Sequence, residues 1–176
     1  MKLLIITLII FLIFLTTVFA KDNLTISSYT SLTFKDKVIF TPDISFLWNF
    51  QRGIEEVYRI VKFTTTMRIQ YSLELSERRI GEMEVLINKN KTSFFLIAET
   101  DYEMELDKIK SEMNSTDIFS KIVKPSNIKE NVTERLEYDN KVLNFISSNV
   151  TSSTKSYMEN AIKKTLDCID FINTVR

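Results

Sequence analysis

Apolar residues recur at steps of three and four along most of the chain, which is the spacing of an α-helix with one apolar face. After Pro42 the first such stripe consists of Leu47, Phe50, Ile54, Val57 and Val61. Thr41 is suited to cap this helix, Pro42 to its first position, and Asp43 to its positively polarised end. The pattern therefore predicts an amphipathic helix that begins near Pro42.

Two longer helices are predicted next, on either side of a polar segment at 88–92. The stripe of the first is Ile69, Leu73, Ser76, Ile80, Met83 and Ile87. Its outer face pairs Glu74 with Arg78 at a stabilising i, i+4 spacing. The stripe of the second is Phe95, Ala98, Tyr102, Leu106, Ile109 and Met113. Because so short a link folds two helices back on each other, residues of about 66–113 are predicted to form a long antiparallel hairpin.

A fourth helix is predicted beyond a less regular segment that ends at Pro125. Asn127 and Glu130 have the spacing of a capping box at its start. Its apolar positions are Ile128, Val132, Leu136, Leu143, Ile146 and Val150. Asp139 and Asn140 are expected to weaken its middle.

The run at 147–156 is rich in serine and threonine and predicts a turn. A second capping box, Ser156 with Glu159, then begins a last helix. The apolar positions of this helix are Met158, Ile162, Leu166, Ile169, Ile172 and Val175. Residues 21–41 differ, because isolated apolar and β-branched residues predict an extended arm or a short strand pair. The sequence thus predicts an all-α bundle of about four to five amphipathic helices over 42–176, behind this arm.

Residues 1–20 have the pattern of a secretory signal peptide. Lys2 precedes an apolar run, Leu3 to Phe19, in which threonine is the only polar residue. The run is slightly shorter than the ~20 residues of a spanning helix, and the small side chains of Val18 and Ala20 suit cleavage after Ala20. An uncleaved membrane anchor is the alternative, since so apolar a run can stay in the bilayer. Both alternatives predict an exported protein, which is either secreted or held at the cell surface.

Five Asn-x-Thr sequons are candidate N-glycosylation sites in an exported chain. Their asparagines are Asn23, Asn90, Asn114, Asn131 and Asn149. Four fall in predicted polar connections, and Asn131 falls in a first helical turn, where a glycan can face solvent. The alternative is a composition rich in asparagine and threonine in an organism that does not glycosylate its proteins.

The composition excludes several classes of function. With 23 basic and 23 acidic residues, the chain lacks the charge excess expected of a nucleic-acid-binding protein. The absence of histidine removes Ser/His/Asp and Cys/His catalysis, and no glycine-rich loop is present to hold a phosphate. Cys168 is the only cysteine, so a buried thiol is expected, with an intermolecular bridge as the alternative. We therefore expect neither an enzyme nor a cofactor or metal site.

An acidic segment of the third helix has two interpretations, a solvated face and a calcium-type site. Its residues are Glu99, Asp101, Glu103, Glu105 and Asp107. Their alternation spreads them around the helix, which favours the solvated face. Asp101 and Glu105, like Glu99 and Glu103, share a face as like charges, which destabilises a helix unless a cation or a basic helix lies opposite.

Aromatic and glycine residues favour packing roles. Trp48, Tyr58 and Tyr71 are expected in the core or between helices rather than on a contact surface. Gly53 and Gly81, the only two glycines, each cost about 1 kcal/mol inside a helix, which indicates close helix approach at both positions.

A resemblance to a known family covers about Thr41 to Met113. It is carried by Pro42-Asp43-Ile44-Ser45-Phe46-Leu47-Trp48, by Arg52-Gly53-Ile54, and by Leu73-Glu74-Leu75-Ser76-Glu77-Arg78-Arg79-Ile80-Gly81-Glu82. These residues resemble an uncharacterised family of exported helical proteins of archaea and bacteria, the domain of unknown function 5667. Members typically read Pro-Asp-Ser without the intervening Ile44, have Asp-Pro in the turn where threonines 64–66 stand, and often have alanine at the position of Gly81. The resemblance implies an extracytoplasmic helical hairpin and supplies no mechanism.

Two functional hypotheses follow. The first is an exported, non-enzymatic helical protein that acts at the cell surface or envelope as an interaction or structural module and binds a protein or an envelope component. The alternative is a membrane-anchored extracytoplasmic sensor or regulator that responds to a cation or a protein partner. Neither binds nucleic acid, and contact with the membrane is expected only through residues 3–20 if these are not removed.

Overall fold

The computed structural model describes residues 32–62, 64–114, 128–150 and 152–175. Five α-helices occupy most of these residues: α1 (Ser45–Ile60), α2 (Thr65–Asn88), α3 (Phe95–Met113), α4 (Ile128–Ser147) and α5 (Ser152–Thr174). Single turns of 3-10 helix lie at Lys35–Lys37 and Thr92–Phe94. No strand occurs in the residues described, and the predicted all-α bundle is confirmed. The segment 1–20 and the first part of the predicted arm, 21–31, lie outside the described residues.

Helices α2 to α5 form a four-helix bundle. The closest-packed pairs are α2 with α3, α4 with α5, α3 with α5, and α2 with α4. Arg68 at the start of α2 donates a hydrogen bond of 2.7 Å to Glu112 near the end of α3, so these two helices run antiparallel. Thr64 caps α2 by accepting the backbone N–H of Met67. Asn90 takes a left-handed conformation, φ 55°, in the short link between α2 and α3.

The bundle core is built from the predicted stripes of α2, α3 and α4. All six stripe residues of α3 are buried, as are Ile69, Leu73, Ile80 and Met83 of α2 and Val132, Leu136 and Leu143 of α4. Met158, Ile169 and Ile172 of α5 are buried as predicted, and its inward face differs from the prediction at Leu166. Leu166 is exposed, whereas the small residues Ala161, Thr165 and Cys168 are buried. The Thr165 hydroxyl lies 2.6 Å from the Tyr102 hydroxyl of α3, so a buried polar contact selects this face.

Two predicted helix starts are wrong by several residues. Helix α1 begins at Ser45, because residues 41–44 form a turn in which the Thr41 carbonyl accepts the N–H of Ile44 at 2.9 Å. The Thr41 hydroxyl bonds to the Asp43 carboxylate rather than capping a helix. Helix α5 begins at Ser152, inside the predicted turn, where the burial of Thr154 outweighs the low helix propensity of its neighbours.

The described part of the predicted arm, residues 32–41, forms a 3-10 turn and no strand. Phe34 is buried in the bundle core, and its ring packs edge-to-face on Tyr138 of α4 at a centroid distance of 5.6 Å. This segment therefore docks on the bundle through one aromatic anchor. Within the described chain, no helix is both long and apolar enough to cross a membrane.

Candidate functional site: the charged layer beneath helix α1

Helix α1 lies on α2 and α3 with its charged side inward. Salt bridges join it to the hairpin through a set of residues that we call the charged layer. The charged layer consists of Arg52, Glu55 and Arg59 of α1, Arg78, Arg79 and Glu82 of α2, and Asp101 and Glu105 of α3. Its four arginines and four carboxyl groups balance in formal charge when all four carboxyl groups are ionised. An ion-paired layer of this kind is tolerated away from water because each charge has a partner.

Arg79 is the centre of the charged layer. Its side chain is fully buried, and its guanidinium bonds to the carboxylates of both Glu55 and Glu82. Glu55 also accepts from Gln51 at 2.7 Å and from Arg78 at 2.8 Å. Glu55 of α1 therefore forms ion pairs with two arginines of α2.

The acidic segment of α3 supplies the other side of the layer. Asp101 forms an ion pair of 2.7 Å with Arg52, and Glu105 forms one of 2.6 Å with Arg59. The expected solvated face is wrong for these two carboxylates, which are buried. Two arginines of α1 lie opposite them, and their charges offset the like-charge repulsion between Asp101 and Glu105. Glu99 is also buried, where it accepts from Asn160 at 2.7 Å, and Asp107 is exposed.

Burial changes the acid strength of these carboxyl groups. Desolvation raises the pKa of Glu55 and of Asp101, and neighbouring arginines oppose the rise. Burial, together with the charge of Glu55, raises the pKa of Glu82 to about 8. The charged layer is thus sensitive to proton uptake near neutral pH.

A second buried charge cluster joins α2 to α4 and to the docked N-terminal segment. Glu77 of α2 accepts from Arg135 of α4 at 2.6 Å and pairs with Lys37. Asp139 is fully buried and accepts from Ser76 at 3.1 Å. Helix α4 continues unbroken through Asp139 and Asn140, and the expected weakness of its middle stays a prediction. Burial raises the pKa of Asp139 well above its ordinary value.

The three aromatic residues singled out in the sequence lie between helices. Trp48 donates to Glu82 at 3.2 Å, and the Arg52 guanidinium lies 5.4 Å from the centroid of its ring. Tyr58 of α1 and Tyr71 of α2 pack edge-to-face at 5.2 Å. They flank the charged layer and shield it from solvent, as the packing interpretation expected.

The apolar side of α1 points away from the bundle. We call this surface the outer stripe; it consists of Phe46, Leu47, Phe50, Val57, Ile60 and Val61, all of them exposed. Phe46 and Ile60 each expose 79% of their surface, and Val57 exposes 64%. The sequence predicts that α1 is amphipathic, but it does not predict that its apolar face is the one exposed to solvent.

One comparison with known proteins identifies the family of the chain. The family model described as Domain of unknown function (DUF5667) matches residues 39–164, more than two thirds of the sequence. This chain belongs to the DUF5667 family. The match contains α1 to α4 entire, and with them the whole charged layer and outer stripe. No curated protein and no solved structure matches the chain.

The sequons of this DUF5667 protein lie in different settings. Asn90, Asn114 and Asn149 are exposed next to helix ends. Asn131 lies in the first turn of α4 and is partly buried. Asn23 and the cleavage candidate Ala20 lie outside the described residues.

The two glycines of the DUF5667 chain have different surroundings. A side chain at Gly81 would overlap the carbonyl oxygen of Phe34, so close approach is confirmed there, although by the N-terminal segment rather than by a helix. At Gly53 the expected close approach is wrong for the described residues, none of which has an atom within 4 Å of where a Cβ would stand.

Cys168 is a buried free thiol, as expected. Burial raises its pKa to about 12. In the part of the chain that is described, no group of three or more His, Cys, Asp or Glu side chains is arranged to hold a metal ion.

The charged layer was not predicted from the sequence. The available signal was a second stripe on α1, in which Gln51, Glu55 and Arg59 follow each other at helical spacing. The countercharges of Arg52, Glu55 and Arg59 lie on two other helices, at sequence separations of 23 to 49 residues. Such partners become visible only when the hairpin is folded.

Proposed function

We propose that this DUF5667 protein is exported and acts at the cell surface or envelope as a non-enzymatic interaction module, with the outer stripe of α1 as its binding surface. One observation carries the proposal: α1 is attached to the bundle by charges and leaves its apolar side in solvent. A helix normally buries its apolar side, and an amphipathic helix that does not do so is the usual ligand of a groove or of another helix.

The size of the outer stripe supports a binding role. Two phenylalanines and four aliphatic residues present on the order of 600 Å² of apolar surface, at the upper end of what a soluble monomer usually exposes. Exposed patches of this size mark interaction sites. Because the stripe lies on a regular helix, its partner meets a rigid surface.

Export is supported by the N-terminal pattern. The run Leu3 to Phe19 and the small residue Ala20 suit a signal peptide, and the five sequons suit an extracytoplasmic chain. The membrane-anchored regulator remains the second candidate, with a protein partner on the same stripe. A cation response is not favoured, because the carboxylates of Asp101 and Glu105 are paired with arginines.

The location is tested by labelling intact cells that carry Glu137→Cys. Position 137 is exposed on α4, away from the outer stripe, and the native thiol of Cys168 is buried. A membrane-impermeant maleimide is expected to label this variant without lysis. Labelling that requires lysis would contradict export.

The binding surface is tested with a photo-crosslinking residue. Benzoylphenylalanine in place of Val57 is expected to give a covalent adduct on illumination of intact cells, whereas the same residue in place of Glu137 gives none. No adduct from position 57, or the same adducts from both positions, would contradict the proposed surface.

A further inference from the structure

Four residues of the outer stripe, together with Gly53, have the spacing of a coiled-coil seam. Phe46, Phe50, Gly53, Val57 and Ile60 follow each other at steps of four, three, four and three. All five positions are exposed. This spacing is suited to packing against one further helix, because it keeps a narrow stripe in line with the axis of the partner.

Gly53 lies at the centre of this seam, and no contact among the residues that the structure describes explains it. It costs about 1 kcal/mol relative to alanine in a helix, and open space surrounds the position of its missing Cβ. Glycine in a helix is useful where another backbone approaches closely. A helix that crosses α1 at Gly53 would supply that backbone.

The seam is symmetric about Gly53 in an antiparallel pairing. Phe46 and Ile60 each lie seven residues from Gly53, and Phe50 and Val57 lie three and four residues from it. Two antiparallel copies of α1 would therefore set Phe46 against Ile60 of the other copy, Phe50 against Val57, and glycine against glycine. On either side of the glycines, each contact pairs a phenylalanine ring with an aliphatic side chain. Both copies use the same surface, as a contact with two-fold symmetry requires.

We infer that the partner of the outer stripe is a second copy of this chain, bound through an antiparallel α1–α1 pair that crosses at Gly53. The inference rests on the proposed function of the stripe as a binding surface. Each copy would contribute on the order of 600 Å² of apolar surface, compared with about 800 Å² per partner in a standard interface. The flanking Leu47 and Val61 widen the contact on one side of the seam. The result is a dimer of modest size whose centre is apolar.

The test introduces one cysteine at a time into the full chain as recovered from cells. Gly53→Cys places a thiol in open space at the crossing point, and buried Cys168 contributes no competing thiol. Under a mild oxidant such as diamide, Gly53→Cys is expected to convert most of the chain to a disulfide-linked dimer on a non-reducing gel. Glu137→Cys, exposed on α4, is the matched control and is expected to stay monomeric. Equal dimer from the two variants, or none from Gly53→Cys, would overturn the inference.

A second pair of variants tests the direction of the pairing. Phe46→Cys and Ile60→Cys chains mixed together are expected to crosslink to each other, while Ile60→Cys alone crosslinks poorly. Self-crosslinking of Ile60→Cys as complete as that of Gly53→Cys would indicate parallel helices and overturn the antiparallel arrangement.

Two combinations of results distinguish a failure of the second-copy inference from a failure of the proposed function. If the crosslinker at position 57 captures a different protein and Gly53→Cys stays monomeric, the second-copy inference is overturned and the binding surface stands. If position 57 gives no adduct and Gly53→Cys gives no dimer, both are overturned.

Discussion

The guanidinium of Arg52 in α1 lies 2.7 Å from the carboxylate of Asp101 in α3, and this ion pair crosses the boundary between the outer helix and the four-helix bundle. Arg59 and Glu105 repeat the relationship further along both helices, at 2.6 Å. Charged contacts of this kind are directional, and a shift of α1 along the hairpin would leave buried charges without partners. The charged layer therefore fixes the position of α1 and the direction in which its apolar side faces.

Removal of Arg79 is expected to destabilise the fold strongly. Arg79→Met leaves the carboxylates of Glu55 and Glu82 buried without their shared guanidinium, a loss of roughly 3–5 kcal/mol. The matched control is Lys110→Met, which removes a surface pair of 3.2 Å with Asp107 and should change stability by less than about 1 kcal/mol. Urea unfolding followed by circular dichroism measures both. Equal losses in the two variants would mean that the layer contributes no more than a surface pair.

The stability of the protein is expected to fall as pH rises from about 4.5 to 8. Glu82 has a pKa of about 8 in the folded chain and an ordinary value of 4.5, so the folded state holds a proton that the unfolded state has lost. The contribution is fully present below pH 4.5 and is lost by pH 8, with a slope of up to about 1.4 kcal/mol per pH unit.

Glu82→Gln isolates the contribution of Glu82 to this pH dependence. The amide keeps an acceptor for Trp48 and cannot ionise. We expect the variant to gain stability relative to the natural chain as pH increases through this range, in a series of thermal melts. A constant difference at every pH would show that Glu82 is ionised throughout.

The sequence predicted the bundle far better than the candidate site. The stripe of α3 from Phe95 to Met113 is buried at every predicted position, because a bundle helix buries the apolar face that its period defines. The same rule applied to α1 would direct Val57 inward, whereas Val57 is exposed and Glu55 is buried. Periodicity identifies the apolar stripe of a helix but does not show which face of the helix packs on the rest of the protein. For α1, arginines of α2 and carboxylates of α3 determine that face.

Substitution of the two glycines is expected to have opposite effects. Gly81→Ala pushes a methyl group into the carbonyl of Phe34 and within 2.9 Å of the Val38 side chain, a cost of about 1–3 kcal/mol. Gly53→Ala meets open space and should gain up to about 1 kcal/mol, measured in a Val57→Glu background that removes the apolar seam. Thermal melts of the two variants compare them directly. Stabilisation by Gly81→Ala would contradict the close docking of Phe34.

Cys168 is expected to be unreactive until the chain unfolds. Its thiol is buried and its pKa is raised to about 12, so hardly any thiolate exists at pH 8. Labelling by a chromogenic disulfide reagent should be slow in buffer and fast in urea, with the exposed Glu137→Cys as the reactive control. Fast labelling in buffer would contradict the burial of α5 at this position.

The direction of α1 is tested most directly by the unfolding free energies of Glu55→Leu and Val57→Glu, measured at concentrations where both variants are monomeric. A helix that packed by its apolar stripe would tolerate the first change and be disrupted by the second. The charged layer predicts the reverse. Glu55→Leu is expected to lower the free energy of unfolding by roughly 3–5 kcal/mol, because it leaves buried arginines without a carboxylate partner. Val57→Glu is expected to change it by less than about 0.5 kcal/mol, because this side chain is in solvent. A larger loss for Val57→Glu than for Glu55→Leu would contradict the account.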